Sequence, residues 1–260
     1  MRASDTDAAA TFDRVVVLPA TDTARAAAMV LARALNLPLR DSASPSAALQ
    51  LLQSASDLTL HDPATGARLR VEFTAAQLRR YRAGGTGGDP LRRAIGPGRR
   101  HVIDATAGFG GDAVHLAVLG HRVTAIERNP IVSALAQDAL RRARALDLLD
   151  ADNPCWITSD ARAMLLQLDC RAATIYLDPM FPPKRKQSAA VRKEMNLLRR
   201  LAIDDADAPE LLTIARAANA ERIVVKRPID GAPLAADAAA AAYRGKLVRY
   251  DVYRAWNPSA

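Results

Sequence analysis

Asp104-Ala105-Thr106-Ala107-Gly108-Phe109-Gly110-Gly111-Asp112 is the stretch that decides the fold. It follows a short apolar run, His101–Asp104, and leads into a helical pattern over Asp112–Leu119, so its glycines fall at a strand-to-helix turn. Glycine there lets the backbone turn tightly and approach a ligand beside the amides of a helix N-terminus. Outward from this turn the chain alternates. Further strands are expected at Arg122–Glu127, Trp156–Ser159, Ala173–Asp178 and Arg222–Lys226, with a last β-rich run at Lys246–Tyr253. Helices are expected at Ile131–Leu146, Ala161–Leu168, Ala189–Leu201, Pro209–Ala218 and, on its alanine content, Leu234–Tyr243. Strands alternating with helices in this way indicate an α/β domain on a mostly parallel sheet.

The pattern Gly108-x-Gly110-x-x-Ala113 also satisfies the dinucleotide fingerprint, and Glu127 ends the second strand where an acid would meet a ribose hydroxyl. A dehydrogenase is therefore open at this point. The continuation separates the readings. Ser159-Asp160 closes the third strand, where a hydroxyl or carboxylate can bond an adenine amino group, and Asp178 closes the fourth. Acids at four successive strand ends, Asp104, Glu127, Asp160 and Asp178, lie where open α/β sheets bind ligands. The plain alternative is that they cap the following helices.

Asp178-Pro179-Met180-Phe181 resembles the Asp/Asn-Pro-Pro-Tyr/Phe motif of methyltransferases that act on planar amino groups. The lone pair of an exocyclic base amine is delocalised into the ring, which makes the nitrogen a poor nucleophile. A carboxylate from Asp178 and a backbone carbonyl held by Pro179 can accept from its two hydrogens and aim the lone pair at a sulfonium methyl group. Phe181 can stack on the base. The catalytic candidates are thus Asp178, Pro179 and Phe181, and the cofactor is S-adenosylmethionine, with Asp104, Gly108, Gly110, Gly111 and Asp112 at its turn.

Ahead of this domain the pattern differs. A strand at Val15–Leu18, a helix at Thr23–Leu35, a hairpin of Leu58–His61 with Arg68–Phe73 and a basic helix at Gln77–Arg82 precede the cluster Gly84-Gly85-Thr86-Gly87-Gly88. Residues 1–90 are therefore expected to form a small α+β subdomain with a glycine-rich linker, and residues 91–260 the α/β domain. Half of the 260 residues are hydrophobic, ample for a sizeable core. Two separated cysteines and four unclustered histidines argue against a disulfide framework and a metal site. The acidic N-terminus has no signal-peptide pattern and no apolar run is long enough for a membrane helix, which favours a cytoplasmic protein.

Taken together, Asp104–Gly108 with Gly110 and Asp112, Glu127-Arg128-Asn129-Pro130, Tyr176-Leu177-Asp178-Pro179-Met180-Phe181-Pro182, Lys193-Glu194-Met195 and Val224-Val225-Lys226-Arg227-Pro228 resemble the RsmJ-type small-subunit ribosomal RNA guanine-N2 methyltransferases. The resemblance spans roughly Val102 to Pro228. It implies a class I, Rossmann-like methyltransferase fold and methylation of a guanine N2 near the 3′ end of 16S ribosomal RNA, alone or in the small subunit. It further implies cofactor contacts at Gly111-Asp112, Glu127-Arg128, Ser159-Asp160 and Asp178. The chain departs from the family at Gly111, where arginine is usual, and at Asp160, where a second hydroxyl residue is usual.

The net charge of +8 supports a phosphate-rich partner. Lys184-Arg185-Lys186, just beyond the proposed base pocket, and Lys226-Arg227 are the expected RNA contacts; Lys226-Arg227-Pro228 ends a strand on the ligand side, where it can line the pocket or equally brace the sheet. Further basic groups stand at Arg79–Arg82, Arg92-Arg93 and Arg99-Arg100. The competing readings are an amino methyltransferase of another nucleic acid or small molecule, and a non-catalytic RNA-binding protein with this fold.

Overall fold

In the computed structural model the described residues are 15–41, 49–84, 88–179, 197, 201 and 207–254. They divide into two compact units. One comprises the described residues up to Phe73 together with Asn129–Leu146, Leu197 and Leu201; the other takes Thr74–Arg128 and the described residues from Asp147 onward, up to Pro179 and from Asp207.

The first unit holds a four-stranded sheet in the order β1 (Val15–Pro19), β2 (Leu49–Gln53), β3 (Leu58–Asp62), β4 (Ala67–Leu69). β1 and β2 run parallel, connected through α1 (Arg25–Leu35), and the other pairs are antiparallel. The predicted hairpin is present, but its second strand stops at Leu69, and β2 has no counterpart among the predicted elements. Asn129 accepts from the amides of Ile131 and Val132 and Pro130 occupies the first turn, so Asn-Pro starts the helix that runs to Ala145. Within that helix Asp138 accepts the backbone amide of Leu58 at the start of β3, at 3.1 Å.

The second unit carries the seven-stranded sheet. It contains α2 (Ala75–Gly84), α3 (Pro90–Ile95), β5 (His101–Asp104), α4 (Gly111–Val118), β6 (Arg122–Glu127), β7 (Cys155–Thr158), α5 (Ala161–Leu165), β8 (Ala173–Leu177), α6 (Ala208–Ala217), β9 (Arg222–Pro228), β10 (Ala241–Arg244) and β11 (Val248–Tyr253). Strand order is β10-β11-β9-β8-β5-β6-β7. The pairs from β9 to β7 are parallel, and β11 is antiparallel to both of its neighbours. From β5 the chain winds out to β7, then returns to place β8 on the other side of β5. The carboxyl ends of β5 and β8 therefore flank the topological switch point.

Period-two alternation builds both faces. Ile103, Ile126, Ile175, Leu177, Ile223 and Val225 pack with residues of α5 and α6 on one side. Val102, Val123, Tyr176, Val224 and Tyr250 pack with residues of α3 and α4 on the other. The helix expected over Leu234–Tyr243 is not formed. Residues 231–240 are bends and irregular chain, and Ala241–Arg244 pair with Arg249–Val252 as β10. Alanine's helix preference amounts to tenths of a kilocalorie per residue. Ladder pairing with β11, and Ala235 and Ala239 packing against the core, outweigh it.

Candidate active site

Gly108 and Gly110 both take positive φ, 55° and 83°, so the turn after β5 needs residues without a Cβ. Gly110 enters α4 without any side-chain cap, and a Cβ built on Gly111 would meet nothing within 4 Å. The helix thus starts open, with donors able to take an anionic or polar group. Glu127, at the end of β6, accepts the Gly108 amide at 2.8 Å and so holds the turn. Asp104 accepts the Thr106 amide at 3.1 Å and is only 1% exposed. Burial, then the nearby charge of Asp112, pushes the Asp104 carboxyl well above the ordinary aspartate range.

That shift has a sign that can be measured. Asp104 keeps in the folded state a proton that the unfolded chain releases above 3.8, so its effect on stability is lost progressively as pH rises. Asp104→Asn removes this slope while retaining an acceptor for Thr106. Thermal melts should show a gain of several degrees over wild type at about pH 8 that vanishes towards about pH 4. A difference independent of pH would refute the assignment.

The decisive cluster lies on the next strands. β8 and β9 pair in the register Tyr176↔Val224 and Leu177↔Val225, which brings the residues after them, Asp178 and Lys226, side by side at the carboxyl end. Lys226 Nζ stands 2.8 Å from Asp178 Oδ2 and 2.8 Å from Asp112 Oδ2. Tyr176 donates its hydroxyl to the same Asp112 oxygen at 2.6 Å. Burial would raise the Asp112 carboxyl, but Lys226 and Tyr176 outweigh it and hold it below its ordinary value. Burial likewise acts to lower the Lys226 ammonium, yet Asp178 and Asp112 together drive it far above the ordinary lysine range. The Asp178 backbone amide donates to Thr106 Oγ1 at 2.6 Å, tying this corner to the glycine turn. The Asp178 side chain remains 34% exposed, so a substrate can reach it, and Pro179 behind it is buried.

The other expected residues take varied places. Arg128 pairs with Asp207 at 2.6 Å. Ser159 follows β7, and its amide donates to the Glu127 carbonyl, so the second and third strand ends are joined. Asp160 caps α5, accepting from the Arg162 amide at 2.8 Å, and pairs with the Arg162 guanidinium at 2.6 Å, with 38% of its side chain exposed. The capping alternative therefore describes what Asp160 does here. Lys226 is taken up by the two carboxylates rather than offered to solvent as an RNA contact. Arg227, one residue on, points to the opposite face; it is 8% exposed and donates to the Ala232 carbonyl at 2.8 Å, a bracing position and not an RNA-facing one. Phe181 and Lys184-Arg185-Lys186 lie outside the described residues. Among the described residues no histidine, cysteine or acid cluster could hold a metal, and no helix is long and apolar enough to cross a membrane.

A glycine turn opening a helix, a charged corner at the switch point and this strand order with one reversed strand together form the frame of a class I methyltransferase. The family model described as "Putative SAM-dependent methyltransferase" matches residues 31–255. The ribosomal RNA small subunit methyltransferase J of Thioalkalivibrio sulfidiphilus is 40% identical over 250 residues, covering 92% of this chain and 97% of the relative. This chain belongs to that methyltransferase family. The Coxiella burnetii methyltransferase J is 37% identical over 93% of this chain and 97% of its own length. A crystal structure of a SAM-dependent methyltransferase from Neisseria gonorrhoeae superposes with a TM-score of 0.71 at 30% identity, covering 94% and 97% of the two chains. The similarity thus extends over almost the whole chain.

Three residues of this cluster were not singled out for these roles from sequence. Thr106 and Tyr176 stand inside the quoted motifs without an assigned role, and Lys226 is expected as an RNA contact or pocket-lining residue but not as the partner of Asp112 and Asp178. The signal for all three was register. Residues two apart share a face, so Tyr176 with Asp178 and Val224 with Lys226 line the α4 side of the sheet, where Asp112 begins its helix.

Proposed function

We propose that this chain methylates the exocyclic N2 amine of a guanine near the 3′ end of 16S ribosomal RNA, as free RNA or within the small subunit, in the cytoplasm. The observation that carries the reading is the Asp112–Lys226–Asp178 bridge beside an open glycine turn. The relatives, which are ribosomal RNA small subunit methyltransferases J, supply the substrate class.

The donor set suits S-adenosylmethionine: amides at the open start of α4 beside Gly108, Gly110 and Gly111, then Glu127, Arg128, Ser159 and Asp160 along the strand ends. That cofactor, when bound, supplies a methyl carbon already activated by its sulfonium. The chain's own residues do the positioning. Lys226 pins one oxygen of the Asp178 carboxylate. Thr106 fixes the Asp178 backbone and the Pro179 ring restricts the next φ, so carboxylate and carbonyl are set to receive the two N2 hydrogens. A carboxylate gripped by an ammonium suits orienting an amine better than strong-base work. Transfer would leave N2 positively charged while it keeps both hydrogens, and in that form it is acidic enough to lose one of them by way of Asp178 to solvent without a strong base. Phe181 is proposed to stack on the base, and Lys184, Arg185 and Lys186 to follow flanking phosphates.

Mass mapping of 16S ribosomal RNA from cells with and without the gene tests the proposal. One methylated guanine near the 3′ end should disappear on deletion and return with a plasmid copy. An identical map in both strains would overturn it.

A further inference from the structure

A second basic surface lies at the other rim of the large sheet. A cleft of about 960 Å³ is lined by Arg92, Arg93, Arg99, Gly120, His121 and Tyr243, among others. Arg99 precedes β5 and His121 precedes β6, so the cleft sits at the amino ends of strands whose carboxyl ends carry Asp104 and Glu127. Along the six residues of β6 the two rims are about 20 Å apart. The cleft is therefore separate from the methyl-transfer site.

Its chemistry is one-sided. No carboxylate lines it, and Arg92 and Arg99 have no ion pair among the described residues. Arg93 lies over the Tyr243 ring, 5.1 Å from its centroid, which fixes that guanidinium at the wall. His121 is 3% exposed, and its Nδ1 accepts the Arg100 amide at 3.2 Å. Burial, then Arg92 and Arg100, push the ring's pKa below the ordinary histidine range. With Nδ1 an acceptor, Nε2 carries the hydrogen and is a donor with no hydrogen-bond partner among the described residues. Arginine forks without counter-charges around a concave wall attract phosphate oxygens.

We infer that this cleft grips the phosphate backbone of the RNA substrate at a point remote from the methylated nucleotide. The inference rests on ribosomal RNA being the substrate. The occupant is a strand because three arginines and no carboxylate line the cleft, a charge complementarity that suits successive phosphates and offers no acid to read a nucleoside. The two contacts would make recognition depend on RNA shape, so that a large folded RNA is held and a short oligonucleotide is not.

The test uses the double variant Arg92→Glu/Arg99→Glu in the full chain. Binding of a 16S ribosomal RNA transcript is measured across a salt series, together with S-adenosylmethionine affinity and methylation kinetics. Expected are unchanged cofactor affinity, unchanged kcat, KM for RNA raised by about tenfold or more, and a salt slope shallower by about one to two. An unchanged slope and KM would overturn the inference. If the double variant loses its cofactor affinity, Arg99→Gln, on the exposed loop before β5, decides by slope alone. Binding of AMP to wild type but not to the variant, at saturating S-adenosylmethionine, would assign the cleft to a small phosphate ligand and also overturn it. Wild type that binds the transcript without methylating it would count against the substrate reading, while the slope comparison still decides the cleft.

Discussion

Asp178→Ala should reduce methyl transfer by about a thousandfold while leaving S-adenosylmethionine binding and the melting temperature close to wild type. The effect is large because the reaction needs little besides alignment. An exocyclic amine whose lone pair is shared with the ring cannot attack until acceptors turn it, and Asp178 is the exposed acceptor at the switch point. The fold should tolerate the change. Asp178 is joined to the turn through its backbone amide, which alanine keeps, and a third of its side chain already faces solvent. Asp178→Asn sharpens the result. It retains an acceptor oxygen, so it should recover part of the rate but not the attraction to Lys226. Tritiated-methyl transfer to 16S ribosomal RNA, with calorimetry for the cofactor, reads both. A rate for Asp178→Ala within a few-fold of wild type would remove this carboxylate from the mechanism.

Much of the fold was legible because strong local signals agreed with one another. β5, β6 and β8 are short apolar runs closed by acids, and each is followed by a turn residue with a mechanical reason to be there: Gly108 and Gly110 at positive φ, Asn129-Pro130 as cap and first turn, Pro179 after Asp178. Elements set by partners were harder to read. β2 reads Leu49-Gln50-Leu51-Leu52-Gln53, a pattern that does not separate strand from helix, and pairing with β1 and β3 settles it. α3 was missed although Asp89-Pro90 provides its cap and first turn, because a six-residue helix carries too little periodicity. β10 was missed because local alanine content pointed to helix.

The candidate site divides in the same way. Residues at strand ends could be found by counting, and Asp104, Glu127 and Asp178 stand at or immediately after the ends of β5, β6 and β8. What they do with their side chains could not, since that depends on which strands are neighbours. β8 and β9 are adjacent although Asp178 and Lys226 are 48 positions apart in the chain, and only that adjacency turns Lys226 from a basic residue into the partner of Asp178. Arg227 shows the complementary point. One step along a strand reverses the face, so two consecutive basic residues that look alike in sequence serve different ends.

Lys226→Met is the second large effect expected, and it separates the bridge from a merely structural role. Methionine fills similar space but leaves Asp112 and Asp178 facing one another near the buried Asp104, with nothing between them. Loss of the pinning contact should lower kcat by about a hundredfold with little change in KM for RNA. Stability should fall by about 3 kcal/mol at neutral pH, the low end of the scale for removing one member of a buried ion pair, because these side chains are partly exposed. The pH dependence comes from the signs of the shifts. With Lys226 present, the lowered Asp112 carboxyl contributes stability above its ordinary 3.8 that is lost as pH falls through the lower folded value. The raised Lys226 ammonium contributes below the ordinary lysine range and loses that contribution only as pH rises through its higher folded value. Both are intact across neutral pH. In the variant, burial and neighbouring acids raise Asp112 instead, so folding opposes its ionisation. The gap between variant and wild type should therefore be smallest below pH 3.8, where the folded wild type also takes up the Asp112 proton, and widen to a plateau towards neutrality. Urea melts along a pH series measure this. Lys226→Arg, which keeps the charge in a wider head group, should restore most of the stability and only part of kcat. A gap independent of pH, or a kcat restored in full by methionine, would mean that the ammonium does not hold the two carboxylates in working position.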